Sequence, residues 1–312
     1  MEDVTDAAFR RLIASYGKPH VMFTEFTSAD GLALAPEEGK KSLLKKLLFS
    51  PIERPIVAQL FSAYPERMEA AARLVRELGF DGIDINMGCP DKAIEKGRCG
   101  SGMIKHPELA REIIRAAKRG AGDLPVSVKT RIGYAKNELE TWLPNLLSEN
   151  PSVVTLHART RNEMSLVPAH WEAVKQAVAI RDALGSKTLI VGNGDVANLT
   201  EAHTRVEETG CDGIMLGRAI YGNPWLFLKK NNPEDTRGTG TTYVPSREER
   251  ITALIEHLRY FNELLIETTN FAVMKKHFKA YINGWPDAKE LRIRLMETQT
   301  VPEAIEILSA AL

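Results

Sequence analysis

The sequence predicts a parallel (β/α)8 barrel that lacks its first strand, joined to a small helical domain at the C-terminal end. Short β-branched runs alternate with longer amphipathic stretches from residue 20 to 216, the pattern of repeated β-then-α units. Most of these runs are nearly continuous apolar, as parallel strands buried on both faces are. After Trp225 the alternation stops and helical patterns take over.

Each element has its own signal. The chain opens with Met1-Glu-Asp-Val-Thr-Asp and a helical pattern over 6–16, so its first residues read as the loop after an absent strand. Strands are predicted at 21–25, 56–60, 82–86, 126–130, 153–157, 188–193 and 213–217, which is seven against the eight a closed barrel needs. The alternative is an open seven-stranded sheet. Amphipathic stretches at 65–78, 107–118, 171–184 and 198–208 supply crossover helices. Residues 229–246 are polar and rich in Gly, Thr and Pro, the composition of a linker or surface loop. Ser246-Arg-Glu-Glu resembles a capping box opening a helix. From there the pattern is helical over 247–267, 270–283, 287–297 and 301–311. The division predicted is a catalytic barrel at 1–228, a linker at 229–246 and a helical domain at 247–312.

Composition narrows the function. With 312 residues, 44% hydrophobic and 26% charged, the chain can bury a substantial core. Lys+Arg and Asp+Glu are both 41, so no global basic charge draws nucleic acid, and any RNA-binding face must be local. Three cysteines (Cys89, Cys99, Cys211) make no disulfide framework, which points to a reducing cytoplasm. None are paired at the Cys-x₂₋₄-Cys spacing of a zinc site. No apolar run approaches ~20 residues, so none would span a membrane, and the N-terminus lacks a signal-peptide pattern.

In a barrel, chemistry gathers at the carboxyl ends of the strands. Here those ends carry Glu25, Gln59, Asn86 with Cys89, Lys129 with Arg131, His157 with Arg159 and Arg161, Asn193 with Gly194, and Gly217 with Arg218. One polar residue ending a strand is more often a cap than a site. Seven strands ending this way on one rim are harder to dismiss. Gly192-Asn193-Gly194-Asp195 and Gly217-Arg218 suit an anion, because glycine turns aim N–H groups at a phosphate and arginine can grip it. Lys129 adds a cation further round. A planar ligand with a phosphate tail, flavin mononucleotide, fits that rim.

The motifs Asp84-Ile-Asn-Met-Gly-Cys-Pro, Val128-Lys-Thr-Arg-Ile-Gly, Leu156-His-Ala-Arg-Thr-Arg, Val191-Gly-Asn-Gly-Asp and Met215-Leu-Gly-Arg-Ala together resemble those of the tRNA-dihydrouridine synthases. Met1-Glu-Asp-Val-Thr-Asp-Ala-Ala-Phe-Arg matches that family's opening loop, and Val167-Pro-Ala-His-Trp and Lys275-Lys-His-Phe fit its bacterial branch. The resemblance covers almost the whole chain, in order. The Asn-Met-Gly-Cys-Pro motif is specific; the Asn-Gly and Gly-Arg motifs also occur in other flavin barrels.

The resemblance implies a reductase in which NADPH reduces FMN, the flavin passes hydride to C6 of a tRNA uracil, and Cys89 protonates C5; apart from the resemblance, a cytoplasmic monomer is expected. It implies that Met1, Gln59, Lys129, His157, Asn193, Gly194, Asp195, Gly217 and Arg218 hold FMN. A positive charge at Lys129 and His157 would stabilise the reduced ring. Asn86 would position uracil or flavin, and Arg131, Arg159 and Arg161 would contact RNA phosphates or the target base. Lys275, Lys276 and Lys279 mark the candidate tRNA face. No metal is implied. One departure stands out: family members carry Ala-Pro before the first Met, whereas this sequence starts at Met1, and those missing residues would form strand one and part of the FMN pocket floor. Cys99 stands where a small residue is expected and reads as a bystander, and Cys211 as core. Two other readings are a flavin barrel reducing a free pyrimidine or enone, and a non-catalytic RNA-binding protein.

Overall fold

The computed structural model describes residues 1–228 and 243–312. Along the chain run α1 (Ala7–Tyr16), β1 (Met22–Phe23), β2 (Thr27–Ser28), α2 (Ala29–Leu34), α3 (Glu37–Leu44), β3 (Ile56–Phe61), α4 (Pro65–Glu77), β4 (Gly82–Met87), α5 (Lys92–Lys96) and α6 (Pro107–Ala121). There follow β5 (Val126–Arg131), α7 (Leu139–Leu147), β6 (Val153–His157), α8 (Trp171–Ala183), β7 (Leu189–Asn193), α9 (Leu199–Thr209) and β8 (Gly213–Met215). The last four helices are α10 (Arg247–Leu264), α11 (Ala272–Tyr281), α12 (Ala288–Glu297) and α13 (Val301–Ser309). The sequence boundaries hold to within a few residues.

Every strand pairing is parallel, in the order β1-β3-β4-β5-β6-β7-β8, with β2 also on β3. The sheet curls but does not close: among the described residues β8 and β1 do not pair. This is the barrel expected without its first strand. The strand expected at 21–25 is interrupted. Met22 pairs with Ile56 and Phe23 with Val57, but Thr27 pairs with Leu60. One edge of β3 thus faces an extra residue, a bulge. It occurs at Glu25, at the carboxyl rim.

Burial explains the near-continuous apolar runs. All six residues of β4 are buried, and Ile83, Ile85 and Met87 lie in the main core with Val128, Val154 and Ile190. Each such side chain contributes about 1.5–3 kcal/mol on burial. A second core lies among α10–α13, with Phe261, Phe278, Tyr281 and Leu295 fully enclosed. Helix α1 joins the two. Phe9 and Ile13, one turn apart, enter the barrel core; Ala8 and Leu12 enter the helical one. The division at residue 228 is therefore bridged by α1.

Caps set several helix starts. Asp6 Oδ1 accepts from Phe9 N at 2.9 Å to open α1. The capping box read at Ser246 is present: Ser246 Oγ accepts from Glu249 N at 3.1 Å, and Glu249 Oε2 accepts from Ser246 N at 2.7 Å. Of the predicted linker, residues 229–242 lie outside the described residues. No helix among the described residues is long and apolar enough to cross a membrane.

Candidate active site

Parallel register brings the strand ends together. Gln59 is opposite Asp84, Asn86 opposite Lys129, Arg131 opposite His157, and His157 opposite Asn193. Gln59 and Asn86 are both buried, and Asn86 Nδ2 donates to Gln59 Oε1 at 3.0 Å. Asp84, fully buried, accepts from Gln59 Nε2 at 2.7 Å and from Ser127 Oγ at 2.6 Å. Burial pushes its carboxyl up to about 6, against those hydrogen bonds and the charge of Lys129. Burial pushes Lys129 down to about 8, and Asp84 resists that shift. The Lys129 ammonium makes no hydrogen bond or ion pair among the described residues and stays available to a ligand.

Cys89 stands on the loop after β4. Asn86 Oδ1 receives the N–H groups of Gly88 at 3.1 Å and Cys89 at 2.9 Å, which turns the loop back over the strand end. The thiol is half-buried, and burial raises its pKa, so it carries its proton at neutral pH. Such a thiol suits proton donation better than nucleophilic attack.

His157 differs from expectation. Burial, then the charges of Lys129, Arg131, Arg159 and Arg218, push it down to about 2. Its imidazole is neutral, so positive charge at this edge of the rim comes from its neighbours Lys129, Arg131, Arg159 and Arg218 and not from His157 itself. The three arginines expected to meet RNA are taken up by protein groups instead. Arg131 donates to Gly88 O at 2.8 Å, Thr160 O at 2.8 Å and Met164 O at 2.9 Å. Arg159 donates to Val167 O at 2.7 Å, faces His157 Nε2 at 3.2 Å and pairs with Asp195. Arg161 forks onto Glu95. These guanidiniums bind the rim loops to one another. Sequence cannot show this, because an arginine that anchors a loop and one that awaits a phosphate look alike.

At the last two strands, Asn193 Nδ2 donates to Met215 O at 2.7 Å and ties β7 to β8. Asp195 accepts from Arg218 Nη2 at 2.7 Å and from Ala169 N at 3.0 Å as well as from Arg159, so its carboxylate orients Arg218. Arg218 is 66% exposed, and a Cβ built on Gly217 would meet nothing within 4 Å. Beside Gly194, these groups leave an open cradle with a cation at its lip. Met1 is 39% exposed, and its amine donates to Thr5 Oγ1 at 2.7 Å.

Of the helical-domain lysines, Lys275 Nζ donates to Met296 O at 2.8 Å, and Lys276 lies 3.9 Å from Asp3. Lys279 is exposed, with no side-chain partner among the described residues. The neighbouring aromatics Phe278 and Tyr281 are core. Cys99 is buried and pushed up to about 12 by burial, and Cys211 is buried. Among the described residues, no group of three or more His, Cys, Asp or Glu side chains could hold a metal ion. Sequence reasoning missed Asp84 and Glu95. A carboxylate inside a wholly buried strand was a signal for the first; nothing in the sequence marked the second.

Fold and site together define a curled parallel α/β half-barrel whose strand ends gather polar side chains at the carboxyl rim. The chain aligns on a histamine dehydrogenase from Rhizobium sp. 4-9 with a TM-score of 0.53, at 15% identity over 81% of this chain and 46% of that one. It aligns on morphinone reductase in complex with tetrahydroNAD with a TM-score of 0.50, at 13% identity over 78% of this chain and 85% of that one. At these identities the likeness is one of fold. The family model "Dihydrouridine synthase (Dus)" matches residues 1–312, and the chain belongs to that family. Over 310 residues it is 39% identical to a Staphylococcus epidermidis protein named "Probable tRNA-dihydrouridine synthase", covering 99% of this chain and 90% of that one. It is 38% identical to the Bacillus subtilis (strain 168) "Probable tRNA-dihydrouridine synthase 2", covering 99% and 91%.

Proposed function

We propose that this chain reduces uridines in tRNA to 5,6-dihydrouridine, with FMN as cofactor and NADPH as its reductant. The observation that carries the reading is the protonated thiol of Cys89, held at the barrel rim by Asn86, in a chain whose family match runs end to end.

The donor set fits FMN. The Lys129 ammonium faces the rim without a protein partner, Gln59 and Asn86 offer amides, and Gly217 with Arg218 leaves an open cradle for phosphate. Held by these residues, FMN would supply hydride chemistry toward C6 of a uracil. The rest falls to the chain. Cys89 delivers its proton to C5. Lys129 balances negative charge at the site, and neutral His157 accepts or donates a hydrogen bond without adding charge. Asp195 holds Arg218 toward the phosphate. Uracil in folded tRNA is stacked, so it must be exposed to reach Cys89. Residues 1–228 form the catalytic unit and 247–312 the RNA-binding one, with Lys279 free to meet phosphate. The enzyme acts as a monomer.

The test is dihydrouridine formation, read by mass spectrometry, in unmodified tRNA incubated with the protein, FMN and NADPH, beside Cys89→Ala. Product from the wild type and strong loss in the variant are expected. NADPH oxidation with a free pyrimidine or enone, and none with tRNA, would overturn the substrate.

A further inference from the structure

We infer that Glu95 is a positioning residue for Cys89: its carboxylate locks the Cys89 loop to Arg161, beyond β6, and so fixes where the thiol stands. The inference deepens the proposed reaction and rests on it for its kinetic consequence alone.

The backbone of Cys89 is held from both sides. Its N–H donates to Asn86 Oδ1, and its carbonyl accepts from Ser101 N at 2.9 Å. Ser101 Oγ lies 2.9 Å from that carbonyl and 2.8 Å from Glu95 Oε1, so its single proton is shared between the two acceptors and the hydroxyl stands between the Cys89 carbonyl and the carboxylate. Arg161 Nε stands 2.9 Å from each Glu95 oxygen, its Nη2 bonds Oε2, and the same Nη2 reaches Pro90 O at 3.3 Å. Arg161 is fixed in turn, since its backbone N–H donates to Gly133 O at 3.0 Å. Glu95 therefore joins the loops after β4, β5 and β6.

Its setting separates this pair from an ordinary surface contact. The side chains of Arg161 and Glu95 are 16% and 11% exposed. Forked, partly buried guanidinium–carboxylate pairs belong to the stronger class of hydrogen bond. Helix α5, which carries Glu95, is five residues long and buries none of them fully. Apolar packing anchors it little, so the carboxylate adds to the Asp91 cap in holding it. A proton donor must stand within hydrogen-bond reach of its acceptor, and a shift of about 1 Å can lower turnover about 100-fold.

The experiment uses the FMN-loaded full chain, with Glu95→Ala and Glu95→Gln. The first readout is the rate of iodoacetamide alkylation at Cys89, mapped by peptide, with buried Cys211 as the internal control for unfolding. The second is kcat and KM on tRNA, and the third is flavin reduction by NADPH. For Glu95→Ala, alkylation of Cys89 should rise about tenfold, the change produced by losing ~1.4 kcal/mol of loop closure. Cys211 should stay protected, kcat should fall with KM little changed, and flavin reduction should hold. Glu95→Gln keeps an acceptor for Ser101 and Arg161, so it should fall between. An unchanged Cys89 rate in Glu95→Ala, with Cys211 protected, would overturn the inference. If Cys211 becomes reactive in Glu95→Ala, the same two outcomes are read on Glu95→Gln. A raised Cys89 rate where even the wild type makes no dihydrouridine would leave the positioning role standing and remove the proposed reaction.

Discussion

Gln59 and Asp84 face each other in register across β3 and β4, and Gln59 Nε2 donates to Asp84 Oδ2 at 2.7 Å. The same amide accepts from Asn86 at 3.0 Å, so the buried carboxylate orients two polar side chains of the rim in one chain of hydrogen bonds. It is also a counter-charge for Lys129. Asp84→Asn keeps the shape and removes that charge. Burial of the Lys129 ammonium would then be unopposed by Asp84, and its pKa would fall further below about 8. For a shift of about one unit, the protonated fraction of Lys129 falls about twofold at pH 7 and about fivefold at pH 8, and FMN affinity should fall with it. The deficit should shrink as pH is lowered and Lys129 regains its proton. Fluorescence titration of FMN at pH 6 and 8 measures both; equal affinities for wild type and variant would refute the coupling.

The seam between α1 and the helical domain holds two neutral histidines. His257 and His277 are fully buried, with ring centroids 4.7 Å apart, and Phe9, Tyr221 and Tyr281 pack around them. Neither ring nitrogen of His277 has a hydrogen-bond partner among the described residues. Burial, then the charge of Lys276, pushes His277 down to about 3; burial, then His277, pushes His257 well below its usual value. Below the unfolded value of about 6.5 the unfolded chain binds the extra protons. Stability therefore falls with falling pH, by ~1.4 kcal/mol per unit for each histidine, until the folded group titrates. His277→Leu should remove one proton's worth of that slope. Urea unfolding between pH 7 and 5 reads it, and an acid limb as steep as the wild type's would count against it.

A second buried charge holds α1 in place. Arg10 Nε donates to Glu53 Oε2 at 2.7 Å, with both side chains at most 2% exposed. Arg10 Nη1 donates to Thr5 O at 2.8 Å, and Glu53 Oε1 accepts from Ser50 N at 2.7 Å. Removing one partner leaves the other as an unpaired buried charge, which costs ~3–5 kcal/mol. Glu53→Ala and Arg10→Met should each lose about that much, while the double variant should lose clearly less than the sum. Chemical denaturation of all four proteins closes the cycle; strict additivity would mean that the pair is not coupled.

These cases show what the sequence carried and what it hid. Apolar runs such as Ile56–Phe61 announce a strand because a parallel strand is buried on both faces, and glycine next to arginine announces a turn open enough to admit an anion because glycine leaves its N–H groups uncovered. The bulge at Glu25 left no trace, since its extra residue is counted against a strand distant in sequence. The charge of His157 was equally hidden: burial, then cations from the ends of β5 and β8 and from its own strand end, depress it, and only the fold brings them together. The pairing of Arg161 with Glu95 was hidden for the same reason, because the two lie 66 residues apart.

Gly100 shows how tightly the Cys89 loop is built. Its φ is +55°, and a Cβ there would lie 2.6 Å from Cys89 O and 3.1 Å from Ile94 Cγ2. Gly100→Ala therefore combines two penalties, a left-handed backbone and a clash with the carbonyl of Cys89. Gly185 separates them: its φ is +62°, but nothing lies within 4 Å of the added methyl. Gly185→Ala should cost only the backbone term, about 1 kcal/mol. Gly100→Ala should cost more, about 2–4 kcal/mol, and should displace Cys89 as well. Dihydrouridine formation by Gly100→Ala should fall at least about tenfold with FMN still bound, whereas Gly185→Ala should keep wild-type turnover. Thermal unfolding and turnover of the two variants, measured side by side, decide it: equal losses would mean that the carbonyl moves aside freely and the loop is looser than its contacts imply.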